Sequence, residues 1–239
     1  FDDARYVDAE QLCTRALRIK EELTPGDGLR IAAMLNFLAD VHSVQARYGK
    51  AELLYKRAIA IWRDVNANDG YFALGYGNLA VLYNEQHRFP EAEAYHKKAL
   101  ARLETNPDKN DPYLATILEN LGSLYRKAGR AADAELLLLR ANTIHENTVG
   151  PHHEDIARGL LNLAHVYVDQ GKMDDAKSLY DRSLNILVNR FGTDHDLVAE
   201  CFRGLGVIHV RYRKYDEARQ YFEKALTSYE KVMGVNHPQ

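Results

Sequence analysis

Ile117-Leu118-Glu119-Asn120-Leu121-Gly122-Ser123-Leu124-Tyr125-Arg126-Lys127-Ala128-Gly129-Arg130-Ala131-Ala132-Asp133-Ala134-Glu135-Leu136-Leu137-Leu138-Leu139-Arg140-Ala141 is the stretch that decides the fold. Small residues at Gly122, Ala134 and Ala141 alternate with Leu118, Leu121, Tyr125 and Leu138 at helical spacing. That alternation lets two antiparallel helices approach closely and interlock. Lys127-Ala128-Gly129-Arg130 breaks the apolar pattern at a glycine, a good helix terminator, so the stretch predicts helix, turn, helix.

The unit recurs along the chain. The Gly122 position returns as Ala39, Ala80, Ala164 and Gly206, in steps of 41, 42, 42 and 42 residues. In the second helix, Ala9, Ala51, Ala92, Ala134, Ala176 and Ala218 keep one phase. Ala16, Ala58, Ala99, Ala141, Ser183 and Ala225 keep another, seven residues on. A period in this range signals a solenoid of stacked helix pairs, each packing only on its neighbours. The expected organisation is all-α: 1–24 as the second helix of a truncated repeat, then repeats at 29–66, 71–106, 111–149, 153–191 and 195–234, in one continuous domain. Asn106 to Pro112 is the strongest linker signal, but Asp111 as N-cap and Pro112 as first helical residue also make a normal helix start, with no domain boundary.

Composition excludes several classes of function. With 31 basic against 34 acidic residues among 239, nothing drives the whole chain toward nucleic acid or an anionic membrane. No apolar run approaches the roughly 20 residues that cross a bilayer. Cys13 and Cys201 fall in the first and last units, too far apart in a solenoid to bridge, which favours a reducing, cytoplasmic setting. The chain opens on Phe1-Asp2-Asp3-Ala4-Arg5 and ends on Pro238-Gln239, where a further unit would begin. It reads as a fragment whose uncapped repeat ends invite self-association.

Leu79-Ala80-Val81-Leu82-Tyr83, Leu163-Ala164-His165-Val166-Tyr167, Ala51 to Ala58 and Ala218 to Ala225 resemble the tetratricopeptide repeat. The period of 42 exceeds the usual 34 or so. The long period, the asparagine before leucine-alanine and the Gly-x-x-His connection are similar to the repeats of kinesin light chains and their prokaryotic relatives. Glu119, Leu161 and Arg203 depart from the paired asparagines of that pattern, and nothing here is similar to the coiled coil of a kinesin subunit. The resemblance implies a right-handed superhelix whose first helices line a concave groove for a peptide.

By that phase the groove row is Phe37, Asn78, Asn120, Asn162 and Gly204. Asparagine both donates and accepts, so three in a row suit a peptide main chain; the plainer reading is that they support packing. Arg126, Lys127, Arg158, Arg203 and Arg211 make the C-terminal half basic, against Asp40, Glu85 and Asp169, and predict acidic residues in the partner. The alternative is a solvated face of internal ion pairs. Phe37, Val81, Leu161, Val168, Val207 and Val210 are the expected apolar contacts. The expected partner is a protein or peptide, with an oligomerising arm as the rival reading.

No motif supports catalysis or a cofactor. Gly204-Leu205-Gly206 lacks the third glycine of a dinucleotide fingerprint and any preceding strand. His153, His195 and His237 share a phase but fall one per unit, separated by about 10 Å per helix, and read as caps rather than a shared metal site. Tyr55, Tyr83, Tyr125, Tyr167, Tyr180 and Phe222 sit at positions expected in the core.

Overall fold

The structure is a computed structural model that describes residues 3–105 and 111–233, with side chains over 8–105 and 111–232. The Asn106–Asn110 part of the linker, the Gly234 to His237 connection and the Pro238-Gln239 end lie outside the described residues. All regular structure among the described residues is helical: α1 (Asp3–Leu23), α2 (Gly28–Val44), α3 (Tyr48–Asp64), α4 (Asp69–Glu85), α5 (Phe89–Leu103), α6 (Pro112–Lys127), α7 (Ala131–Thr148), α8 (Glu154–Asp169), α9 (Met173–Phe191), α10 (Asp196–Arg211) and α11 (Tyr215–Met233). They fall into two compact units, 1–109 holding α1 to α5 and 110–239 holding α6 to α11.

Unit 1 packs α1 on α2, pairs α2 with α3 and α4 with α5, and seats α4 on α3. The small positions make this possible: Ala39, Ala51, Ala58, Ala80, Ala92 and Ala99 are all fully buried at the helix contacts. Larger side chains fill the remaining space, with Leu35, Leu79 and Trp62 wholly enclosed. Gly75 is small for the same reason, since a Cβ there would stand 2.7 Å from Ile59 and 2.9 Å from the Trp62 ring. Bulk at such a contact forces strain of about 1–3 kcal/mol.

Unit 2 repeats the scheme with α6–α7, α8–α9 and α10–α11, and α8 lies on α7 and α10 on α9. A Cβ at Gly122 would meet Leu138 at 2.9 Å, and one at Gly206 would meet Phe222 at 2.7 Å. Ser183 replaces alanine in its series and donates its hydroxyl to the Ala157 carbonyl at 2.7 Å, so no buried polar atom is left over. Tyr125 and Tyr180 are core residues, as are Tyr55 and Tyr83 of unit 1, while Tyr167 is half-buried. Phe222 departs from expectation at 38% exposure, because no described helix follows α11 to cover it.

The turn inside each pair needs one residue in the left-handed region. Ala46, His87, Gly129, Gly171 and Arg213 occupy it, with φ of 56, 57, 75, 78 and 59°. The next amide donates to the carbonyl five residues back: Arg47 to His42, Arg88 to Tyr83, Arg130 to Tyr125, Lys172 to Tyr167 and Lys214 to His209, all at 2.8–2.9 Å. This is the Schellman closure. It brings the cationic side chain over the aromatic ring at the end of the first helix, with Arg88 4.3 Å from Tyr83, Arg130 3.7 Å from Tyr125 and Lys172 4.8 Å from Tyr167.

A carboxylate on the preceding second helix then clasps the same corner. Glu10 takes Arg47 at 2.6 Å, Glu52 takes Tyr83 at 3.0 Å and Arg88 at 3.4 Å, and Glu135 takes Gln170 at 2.8 Å and Lys172 at 3.1 Å. Partly exposed pairs contribute only about 0–1 kcal/mol each, so they fix register more than they supply stability. The starts of α4, α6, α8 and α10 carry side chains that accept a backbone N–H, Asn68 from Tyr71, Asp111 from Tyr113, His153 from Asp155 and His195 from Leu197, whereas Asp27 before α2 makes no such bond. Asp111 and Pro112 thus take the expected capping roles, and His153 and His195 are caps.

Two outcomes follow for stability. Arg213→Gly relieves an L-residue of its left-handed conformation and should raise stability by about 1 kcal/mol in urea unfolding, whereas Gly171→Ala should lower it by a similar amount. His96 is 2% exposed, and burial pushes its imidazole down to about 4. Below pH 6.5 the unfolded chain therefore binds a proton that the folded chain refuses, and stability falls as pH drops from about 6.5 toward 4. His96→Leu should remove about 2 kcal/mol of that loss, read from unfolding midpoints at pH 7 and pH 4.5.

Candidate functional site

In each unit the surface expected to meet a ligand is built by the exposed sides of its first helices, α2 and α4 in unit 1 and α6, α8 and α10 in unit 2. Its polar row behaves differently in the two units. In unit 1, Asn78 on α4 donates through Nδ2 to Oδ1 of Asn36 at 3.2 Å and of Asp40 at 3.3 Å, and the Tyr55 hydroxyl donates to the same Asp40 oxygen at 2.5 Å. Burial raises the Asp40 carboxyl above its usual range, an effect that the Tyr55 bond opposes. The Asn78 carboxamide is therefore committed to holding α4 against α2. Phe37 is 54% exposed, beside a shallow apolar depression of about 430 Å³ lined by Leu12, Cys13, Ala16, Ala33 and Met34.

In unit 2, Asn120 on α6 and Asn162 on α8 are half-buried, and neither side chain has a hydrogen-bond partner among the described residues. Ser123, one turn on from Asn120, is equally uncommitted. The row stops at Gly204 for a steric reason. A Cβ there would lie 2.3 Å from the Tyr180 ring, which occupies the space of a side chain. Tyr180 and His165 match Tyr55 and Asp40 in phase, but here the two rings meet edge-on with centroids 5.6 Å apart.

Of the four arginines singled out in the sequence, Arg126, Arg158 and Arg203 are each held by an acid of the same unit. Arg126 pairs with Asp169 at 3.0 Å, Arg158 with Asp155 at 2.6 Å and with Glu119 at 3.4 Å, and Arg203 with Glu200 at 2.5 Å. Val207 and Val168 are half-buried and Val210 is 42% exposed. Leu161, expected to be open to a ligand, is only 3% exposed. It turns inward and packs in the core with Val198, Phe202 and Leu205.

Sequence reasoning passed over a buried polar joint. Glu119, noted only as a departure from asparagine, is 5% exposed, with Nε2 of His145 3.1 Å from one carboxylate oxygen and Nε of Arg158 3.4 Å from the other. Asn142 lies beside them, and Gly159 leaves it room, since a Cβ at 159 would stand 1.9 Å from its Oδ1. The joint ties α6, α7 and α8 through one buried charge. Its signal in the sequence was the opposite charge of Glu119 and Arg158 at positions that are neutral in the other repeats except the last, where Arg203 and Glu200 carry the pair with the signs exchanged. Among the described residues, no three His, Cys, Asp or Glu side chains converge as metal ligands.

The tetratricopeptide repeat model matches residues 1–64, 71–147 and 155–231. The chain belongs to the tetratricopeptide repeat family. Its structure is similar to BtubC (BKLC) from P. vanneervenii, with 21% identity and a TM-score of 0.83 over 100% of this chain and 95% of that one. It is also similar to a kinesin light chain-type protein of Podosopora anserina with nearly identical TPR-like repeats, at 17% identity and a TM-score of 0.72 over 86% and 97%. PilF of Pseudomonas aeruginosa gives 22% identity and 0.62 over 82% and 76%. No curated protein sequence matches the chain. At these identities the likeness shows the fold, that of kinesin light chain-like tetratricopeptide proteins, a fold that generally serves protein interaction. Among the described residues no helix is long and apolar enough to cross a membrane.

The joint gives a direct test. Arg158→Met strips Glu119 of its cation and should destabilise the chain by about 1–3 kcal/mol, below the full cost of an unpaired buried charge because Arg158 is part-exposed. Adding Glu119→Leu should restore most of that loss in a double-mutant cycle of urea unfolding.

Proposed function

We propose that this chain is a non-catalytic protein-interaction module of the cytoplasm, and that α6, α8 and α10 of unit 2 present the binding face to an extended peptide segment. The observation that carries this is the pair Asn120 and Asn162, in one phase on successive first helices and without internal partners. A carboxamide left half-buried and unpaired is a ready donor and acceptor for a main chain. Val168, Val207 and Val210 flank it for alternate side chains. Arg126, Arg158 and Arg203 belong to the same face, pre-oriented by their acids with guanidinium donors to spare, and favour a ligand that includes acidic residues. Nucleic acid is disfavoured by the net charge of −3 and by those same internal pairs.

One observation favours a second reading, an oligomerising arm. Val210, Tyr215, Ala218, Phe222 and Leu226 line an open apolar depression of about 360 Å³ on α10 and α11, large enough to seat side chains of another protein. Sedimentation velocity over a hundredfold concentration range supports it if the mass rises and removes it if the chain stays monomeric.

The binding reading is tested by selecting a displayed library of random dodecapeptides on the whole chain. Enriched peptides should bind about tenfold more weakly to Asn120→Ala/Asn162→Ala, the loss of two hydrogen bonds, and within about twofold of normal to Asn78→Ala. Equal losses in both variants, or none in either, would reject the assignment of the face to unit 2.

A further inference from the structure

His165 stands at the centre of the unit 2 face, and nothing in a bland peptide-binding surface requires it. Its side chain is about four-fifths buried, with Nε2 enclosed and without a hydrogen-bond partner. The nearest acid oxygen is Oε2 of Glu200 on α10, 4.0 Å away. Glu200 does not close that gap because it is already held from the other side. Arg203 grips it at 2.5 and 3.2 Å, and the Tyr229 hydroxyl of α11 donates to it at 2.6 Å. Arg126 of α6, paired with Asp169 of α8, and Arg203 are the two cations that act on His165, and Tyr180 of α9 lies edge-on against its ring. Every element packed around the imidazole thus presents either a cation, an acid already engaged by a cation, or an aromatic ring.

We propose that His165 is the proton-coupled centre of this face: an anionic ligand group that engages Arg203 or Arg126 brings a proton onto His165. The inference rests on the binding reading above and adds its regulation. An incoming carboxylate draws Arg203 away from Glu200 and neutralises the field that opposes imidazolium. Glu200, still tethered by Tyr229, is then free to close onto Nε2, and the buried nitrogen gains the partner it lacks. In the free chain burial, reinforced by Arg126 and Arg203, pushes His165 down to about 4, so it is neutral at physiological pH. Because the bound state holds a proton that the free state does not, affinity for the anion rises as pH falls toward the free-state value.

The test follows the His165 imidazole by NMR between pH 4.5 and 7.5. The probe is an N-acetylated, C-amidated hexapeptide of cysteic acid, whose sulfonates stay ionised throughout. The free chain should show only the onset of His165 charging. Saturating peptide should raise the midpoint by about one pH unit, matched by about threefold tighter binding at pH 4.5 than at pH 7.5. Arg203→Gln should raise the midpoint by a similar amount without peptide, and His165→Gln should bind the peptide with the extra pH dependence gone. A midpoint that ignores both peptide and Arg203→Gln overturns the proposal, as does failure of the peptide to bind. Peptides selected from the library that depend on Asn120 and Asn162 would leave the binding reading standing in either case.

Discussion

Close approach of antiparallel helices is the constraint on which everything else in this chain depends. Helix axes can come near only where one side of the contact is a hydrogen or a methyl group, and the fully buried alanines and the glycines at 122 and 206 supply that at a fixed phase. Because a period of about 42 residues returns each small position to the same contact, one local solution is used again and again, and stability accrues pair by pair. The left-handed turn is subordinate to this packing. Ala46, His87 and Arg213 accept an unfavourable backbone conformation because the helix pair on either side dictates where the chain must reverse.

The fold was legible in the sequence because small residues tolerate no substitute, so their spacing survives in a single chain. The stretch around Gly122 and Gly129 was enough to place both helices and the turn. The caps were legible too: Asp111-Pro112 is a short-range signal, and the histidines at 153 and 195 are confined to one phase of the connection. Exposure at the end of unit 2 was not, because whether Phe222 is covered depends on a neighbour that its own repeat does not contain.

The candidate site was less legible, since the side chains of a solvent face are defined by their partners and not by their phase. Asn78, Asn120 and Asn162 are indistinguishable as letters, yet the first is spent on Asn36 and Asp40 while the other two are not. Arg158 looked like a ligand-facing cation until Glu119 and Asp155 appeared beside it. Glu119, legible only as a departure from the asparagine pattern, is one of the most enclosed acids among the described residues, and His145 and Arg158 reach it from two other helices.

The clasping carboxylates bear on how such a chain comes apart. Glu10, Glu52 and Glu135 each reach forward to the corner of the next pair, but the same position on α9 is Lys177, which turns back to Asp181 in its own helix. Within unit 2, α10 and α11 are therefore joined to the preceding pair by apolar packing, by the buried Cys201–Ser183 contact and, at that corner, by the Tyr212–Asp174 bond. Under native conditions the amides of α10 and α11 are therefore expected to exchange with solvent through a smaller opening than those of α6 to α9.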